Sequence, residues 1–210
     1  TEEAVRADLP DAQLMSQICD VSDETSVQNL VDAVVQKYGR LDILVNNAAV
    51  FASLDRKPFE DISVDEWDKV MSVNLRGVFL CARAASPIMK AQKYGKIINI
   101  ASMLSFQGGI RVPSYTASKS AVMGITRAMA NEWASDNINV NAIAPGYMAT
   151  NNTQALREDA DRNQAILERI PADRWGTPKD VAGPCVFLAS SASDYINGYT
   201  IAVDGGWLAR

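Results

Sequence analysis

The sequence predicts an α/β domain in which a doubly wound parallel sheet carries helices on both faces. Three observations point there. Short β-rich runs alternate with longer stretches whose apolar residues recur at helical spacing. The 210 residues are 48% apolar and 21% charged, which suits one domain around one core, residues 1–210. No internal repeat, linker or low-complexity segment divides the chain.

Taken in order, Leu14 to Cys19 reads as a strand. Ser22 or Asp23 then caps a helix in which Val27, Leu30, Val31, Val34, Val35 and Tyr38 share a face, and Gly39 stops it. Asp42 to Asn46 is the next strand. Ser63 and Glu66 have capping-box spacing and open a long helix through Trp67, Val70, Met71 and Asn74 toward Met89, bent near Pro87. Lys96 to Ala101 is an Ile-rich strand, followed by a polar loop from Ser102 to Pro113. A helix from Ser114 to about Asp136 and a strand from Ile138 to Ala144 follow, the strand ending at Pro145-Gly146. Tyr147 to Trp175 has the length and polarity of a substrate lid. Thr177-Pro178 places a cap and then a proline at the first helical position, for a helix to about Ala189, and Tyr199 to Val203 is the closing strand.

Composition removes several functions. The net charge of -5 and pI near 4.8 oppose a phosphate-tracking surface, so no nucleic-acid partner is expected. No apolar run approaches the roughly 18 residues needed to cross a bilayer, and Thr1 to Asp8 is acidic, unlike an export signal; a soluble cytoplasmic protein is expected. Cys19, Cys81 and Cys185 lie far apart in apolar surroundings and read as buried free thiols. The chain contains no histidine, which rules out imidazole-activated nucleophiles and imidazole zinc ligands. No metal site is expected. Acid and base work falls to Asp, Glu, Lys, Tyr or Cys.

Tyr115 and Lys119 stand four residues apart near the start of a helix, so both side chains leave one face. A neighbouring ammonium and the positive helix end both favour the phenolate, which would bring the phenol below its ordinary pKa of about 10. Ser102, at the end of the preceding strand, can return to the same cleft and hydrogen-bond a substrate oxygen.

Ser102, twelve residues, Tyr115, three residues, Lys119 resembles the signature of the short-chain dehydrogenase/reductase family, with small residues in Thr116-Ala117-Ser118 between tyrosine and lysine. Asn46-Asn47-Ala48-Ala49 resembles that family's Asn-Asn-Ala-Gly segment, departing from it at Ala49. Asn74 stands where the family has a structural asparagine that also holds a relay water. The resemblance implies a Rossmann-like fold, hydride transfer between a substrate carbon and a nicotinamide, and Tyr115 as the proton acceptor in alcohol oxidation. It also implies cofactor contacts at Asp20, Val21, Asn47, Ala48, Tyr115, Lys119, Pro145, Gly146, Met148 and Thr150. NAD is the expected cofactor, with NADP not excluded, and a homotetramer is the expected assembly. A dinucleotide-binding fold opens with a strand, a glycine-rich turn and a helix, which this sequence does not show; the expectation is that the intact protein carries a further N-terminal βαβ part.

The segments Ile100 to Pro113, Gly146 to Thr153 and Asp204 to Arg210 resemble one branch of the family more closely, the 2-deoxygluconate 3-dehydrogenase and 2-dehydro-3-deoxygluconate 5-dehydrogenase group. The expected substrate is therefore a small sugar acid, with Ser102 and Tyr115 at the reacting carbon. Its hydroxyls and carboxylate require polar and cationic partners, for which the loops offer Gln107, Arg111, Tyr147, Asn151, Asn152, Arg157 and Arg174. Arg111 and Tyr147 are singled out. A 3-oxoacyl-carrier-protein reductase would use the same residues but would want a basic docking patch that this acidic chain does not advertise. A noncatalytic nucleotide-sensing or scaffold protein is the alternative of another class; the absent phosphate-binding turn favours it, and the complete Ser, Tyr and Lys set opposes it.

Overall fold

Helix caps and strand pairing account for most of the architecture of the computed structural model, which describes residues 2–51 and 57–210. After a short helix α1 (Glu2–Asp8), helix α2 (Glu24–Tyr38) starts where the Asp23 carboxylate accepts the Ser26 N–H. It ends at Gly39, whose φ of 76° is the left-handed conformation that glycine adopts without a Cβ penalty. Strand β1 (Ile43–Asn46) leads to helix α3 (Val64–Met71), capped by the Ser63 hydroxyl accepting from the Glu66 N–H. The Glu66 carboxylate does not close the box, pairing instead with Lys57 at 3.2 Å. A π-helical turn at Ser72–Arg76 joins α3 to α4 (Gly77–Gln92), and Pro87 lies inside α4. Strand β2 (Gly95–Ile100), helix α5 (Pro113–Trp133) and strand β3 (Ile138–Pro145) follow. Two short helices, α6 (Gln154–Glu158) and α7 (Ala160–Leu167), occupy the segment expected as a lid. Helix α8 (Pro178–Ala189) begins with a complete capping box between Thr177 and Asp180, and strand β4 (Thr200–Val203) closes the sheet.

The strands pair in parallel in the order β1-β2-β3-β4. Register sorts the side chains: Ile97 pairs Val140, and Ile98 pairs Asn141. Odd positions of β2 and even positions of β3 face α4 and α5, where Ala82, Ala85, Met89, Ala130 and Trp133 meet Ile97 and Val140. The opposite face buries Ile98 and Ile143 against Leu188 of α8. Strands buried on both faces read as continuous apolar runs, and the buried pattern of β2 and β3 matches that expectation. Asparagines on the α4 and α5 side of the sheet are paired: Asn46 donates to Asn99 at 2.9 Å, and Asn99 donates to Thr126 at 2.9 Å. On the other face the buried Lys96 ammonium meets Asn139 at 2.7 Å and Asp194 at 2.6 Å.

One sequence expectation fails. Leu14 to Cys19 is not a strand. A strand exists only through its ladder, and the described residues place no strand beside this segment. Its backbone is met by side chains instead: Tyr38 donates to the Gln13 carbonyl at 3.3 Å and Lys37 to the Leu14 carbonyl at 2.8 Å.

Candidate active site

The carboxyl ends of β2 and β3 and the start of α5 converge on one cavity of about 440 Å³, a size typical of small-molecule sites. Ser102 follows β2, where its hydroxyl caps a short 3₁₀ turn by accepting the Leu104 N–H at 3.2 Å. Tyr115 enters from the first turn of α5, which Pro113 opens with its φ already suited to a helix. The Ser102 hydroxyl and the Tyr115 phenol line the same wall, close enough for the hydroxyl to lower the phenol's pKa. The Phe51 ring lies against Tyr115, with centroids 4.5 Å apart.

Lys119 sits one turn further along α5 and is buried, its Nζ 5.7 Å from the centre of the Tyr115 ring. The ammonium donates to the Ile100 carbonyl at 2.6 Å. Burial lowers its pKa to about 8. The Tyr115 pKa is raised by burial, and the Ser102 hydroxyl only partly counters that. The expected downward shift of the phenol is thus corrected. Desolvation of the phenolate outweighs the nearby ammonium, whose own hydrogen bond goes to a backbone carbonyl.

Asn74 occupies the π-helical turn and is fully buried. Its amide accepts the Val50 N–H at 2.7 Å, donates to the Val50 carbonyl at 3.1 Å, and reaches the Ser118 hydroxyl at 3.3 Å. The asparagine therefore ties the loop after β1 to α5, between Tyr115 and Lys119. The extra residue of the π turn is what such helices insert at functional positions.

Of the other residues singled out from the sequence, Asn47, Pro145, Gly146, Tyr147, Met148 and Thr150 line this cavity, as do Gln107 and Asn152. Gly146 is required by close packing, since a Cβ there would lie 2.7 Å from the Asp204 Cα. Ala48 is not on the cavity wall. Asp20 and Val21 lie elsewhere: the Asp20 carboxylate accepts the Ser22 N–H and hydroxyl at the entry to α2, and Val21 packs with Val27, Leu80 and Cys81. Arg111 is exposed at a φ of 59° and outside the wall, to which its loop contributes Gly109, Ile110 and Val112 instead. Two further arginines are engaged: Arg157 donates to the Thr150 carbonyl at 3.1 Å, and Arg174 pairs with Asp180 at 2.8 Å.

Sequence reasoning passed over Arg162, Arg169 and Trp207, all of which line the cavity. Arg162 lies on α7 and Arg169 in the turn just past its C-terminal end, within one short stretch of the segment read as a lid; two cations so close in that segment were the available signal. No cluster of metal-ligating side chains occurs among the described residues.

The family model described as enoyl-(acyl carrier protein) reductase matches residues 2–208. A 2-dehydro-3-deoxy-D-gluconate 5-dehydrogenase from Dickeya dadantii (strain 3937) is 62% identical over 199 residues, covering 94% of this chain and 78% of that protein. This chain belongs to the short-chain dehydrogenase/reductase family. The Escherichia coli (strain K12) protein of the same name is 61% identical over the same length and coverage. A gluconate 5-dehydrogenase from Burkholderia cenocepacia J2315, solved in complex with NADP and tartrate, superposes with a TM-score of 0.87 at 40% identity, covering 91% of this chain and 74% of that one.

Against that family, the residues present fit the nicotinamide half of a dinucleotide. Asn47, Ser102, Tyr115, Pro145, Gly146 and Thr150 share one cavity, and a buried lysine stands behind the phenol. Among the described residues, no glycine-rich turn between a strand and a helix lies beside β1 to meet a pyrophosphate.

Proposed function

We propose that this chain is a nicotinamide-dependent dehydrogenase that interconverts a secondary alcohol and a ketone on a small sugar acid of the 2-dehydro-3-deoxygluconate or 2-deoxygluconate type. The observation that carries the reading is the placement of Ser102 and Tyr115 on one wall of the cavity, at the end of β2 and the start of α5, with Lys119 buried behind them. A bound nicotinamide supplies or accepts the hydride.

The protein's residues handle the oxygen and its proton. Ser102 donates a hydrogen bond to the substrate oxygen, which holds the reacting carbon in place and stabilises negative charge as it develops. Tyr115, neutral near pH 7 because burial raises its pKa, donates the proton when a ketone is reduced. In the oxidative direction the same phenol must first lose its proton, and Lys119 is the adjacent cation that stabilises that state. Asn74 acts through Val50 and Ser118, keeping the loop that carries Asn47 and Phe51 against α5. Asn47, Pro145, Gly146, Met148 and Thr150 line the nicotinamide side, and the segment 147–175 is the lid, its two ends joined where Gly176 donates to the Tyr147 carbonyl at 2.9 Å.

NADP in the solved relative supports a nicotinamide dinucleotide as the cofactor, and both NAD and NADP belong in the assay. A homotetramer is proposed as the assembly, supported by the exposed Val186, Tyr195 and Tyr199 around α8 and β4. A cytoplasmic location is proposed because the three cysteines are free and no described helix is long and apolar enough to cross a membrane.

The test is a panel of aldonates, keto-deoxyaldonates, simple alcohols and an acyl thioester with each cofactor, followed by reduction or oxidation at 340 nm. Turnover of a sugar acid is expected, and Tyr115→Phe is expected to lower kcat by about 10²- to 10⁴-fold while still binding cofactor. Turnover of the acyl thioester with none of any sugar acid would reject the assignment.

A further inference from the structure

The cavity has a charge pattern that the Ser102 and Tyr115 machinery does not explain. Among the described residues its wall is otherwise apolar or neutral and polar, Arg162 and Arg169 are its only ionised side chains, and no Asp or Glu lines it. This runs against the protein as a whole, whose net charge is -5. Neither arginine has an ion-pair partner among the described residues, whereas Arg157 and Arg174 are held by Thr150 and Asp180.

Arg169 is also positioned in advance. Its guanidinium lies 4.0 Å from the centre of the Trp207 ring, a stacking contact that fixes the plane of the fork while leaving its N–H groups free to donate. Trp207 is buried, with Tyr147 on its other side at 4.9 Å, so the platform under Arg169 is rigid. The Trp207 indole N–H is a buried donor with no acceptor among the described residues. Orphaned buried donors are rare in folded proteins, and one beside Arg169, on a wall that also carries Arg162, suits a site that receives an oxygen-rich anion.

We propose that Arg162 and Arg169 form the carboxylate clamp of the substrate cavity, with Arg169 the pre-positioned anchor on Trp207 and Arg162 the second cation. The proposal rests on the sugar-acid reading and names the residues that select for the acid. The carboxylate meets guanidinium donors from α7 (Arg162) and from the turn that follows it (Arg169), both on the cavity wall, and the carbon to be oxidised or reduced lies toward Ser102 and Tyr115. Specificity for an acid over a neutral polyol then arises at a point distinct from the chemistry, and the lid carries it.

The experiment measures binding of D-gluconate and D-glucitol, a six-carbon acid and its neutral counterpart, to the cofactor-loaded full chain by isothermal titration calorimetry. The wild type should prefer the acid. Arg169→Met and Arg162→Gln should each reduce that preference by about 10- to 100-fold, and Arg169→Lys should restore part of it, because charge persists while the bidentate fork is lost. NADP affinity, read by cofactor fluorescence, reports that each variant is folded. A wild type that binds acid and polyol equally overturns the clamp whatever its turnover. So does an undiminished preference in both variants, or a loss that falls on NADP affinity instead. A wild type that prefers the acid through these arginines yet oxidises no sugar acid supports the clamp and overturns the proposed reaction.

Discussion

Lys119→Met isolates what a buried ammonium costs the cofactor-free fold. The lysine is 2% exposed, and burial lowers its pKa from 10.5 to about 8. The sign follows from which state holds more protons. Between those two values the unfolded lysine is protonated and the folded one is not, so wild-type stability rises with pH across that window. Below pH 8 the proton is on in both states, and the fold carries the full desolvation penalty. Moving from pH 7 to pH 10 should therefore add about 2–3 kcal/mol to the wild type from this group, at about 1.4 kcal/mol per pH unit where the slope is steepest. Tyr115 titrates in both proteins, so its contribution largely cancels when their stability profiles are subtracted. Lys119→Met also leaves the Ile100 carbonyl without its 2.6 Å partner, a loss of about 1–3 kcal/mol that does not depend on pH. Urea denaturation of both proteins at pH 7, 8, 9 and 10, read by far-UV circular dichroism, gives the difference directly. Parallel stability profiles for the two proteins would refute the reasoning.

Two structural predictions complement this one. Asn74→Ala strands the Val50 N–H and carbonyl, so it should cost about 1–3 kcal/mol per unpaired group in a denaturant titration and lower kcat by loosening the loop of Asn47 and Phe51; unchanged stability would show that Val50 finds other partners. Gly146→Ala places a Cβ 2.7 Å from both Cα and Cβ of Asp204, whose carboxylate accepts from Gly206 and Leu208 on either side of Trp207. The melting temperature should fall by the equivalent of about 1–3 kcal/mol, and KM for the acid should rise with it; a variant melting with the wild type would mean the turn yields freely.

Elements with strong local chemistry were legible in advance. Asp23 and Gly39 bound α2, Thr177 and Asp180 open α8, and the Ile-rich run of β2 and the Ile-, Val- and Ala-bearing run of β3 are strands buried on both faces. The reading failed at Leu14 to Cys19, where local propensity suited a strand but no ladder partner lies alongside among the described residues. Propensity describes a segment; pairing describes two. The same distinction applies in the site. The spacing of Ser102, Tyr115 and Lys119 announced a shared cleft, whereas Arg111 was chosen for its charge and its loop, and its backbone leaves it outside the wall.

Residue order alone determined the chemical repertoire: no imidazole, a phenol and an amine one helical turn apart, and a serine at a strand end. The tertiary structure decided the electrostatics, because the pKa of a phenol or an ammonium depends on the solvent it loses, and burial is a property of everything packed around it. It also decided which cations line the cavity. Arg162 and Arg169 share its wall with Trp207, some forty residues downstream, only because the segment 147–175 packs against the carboxyl end of the sheet.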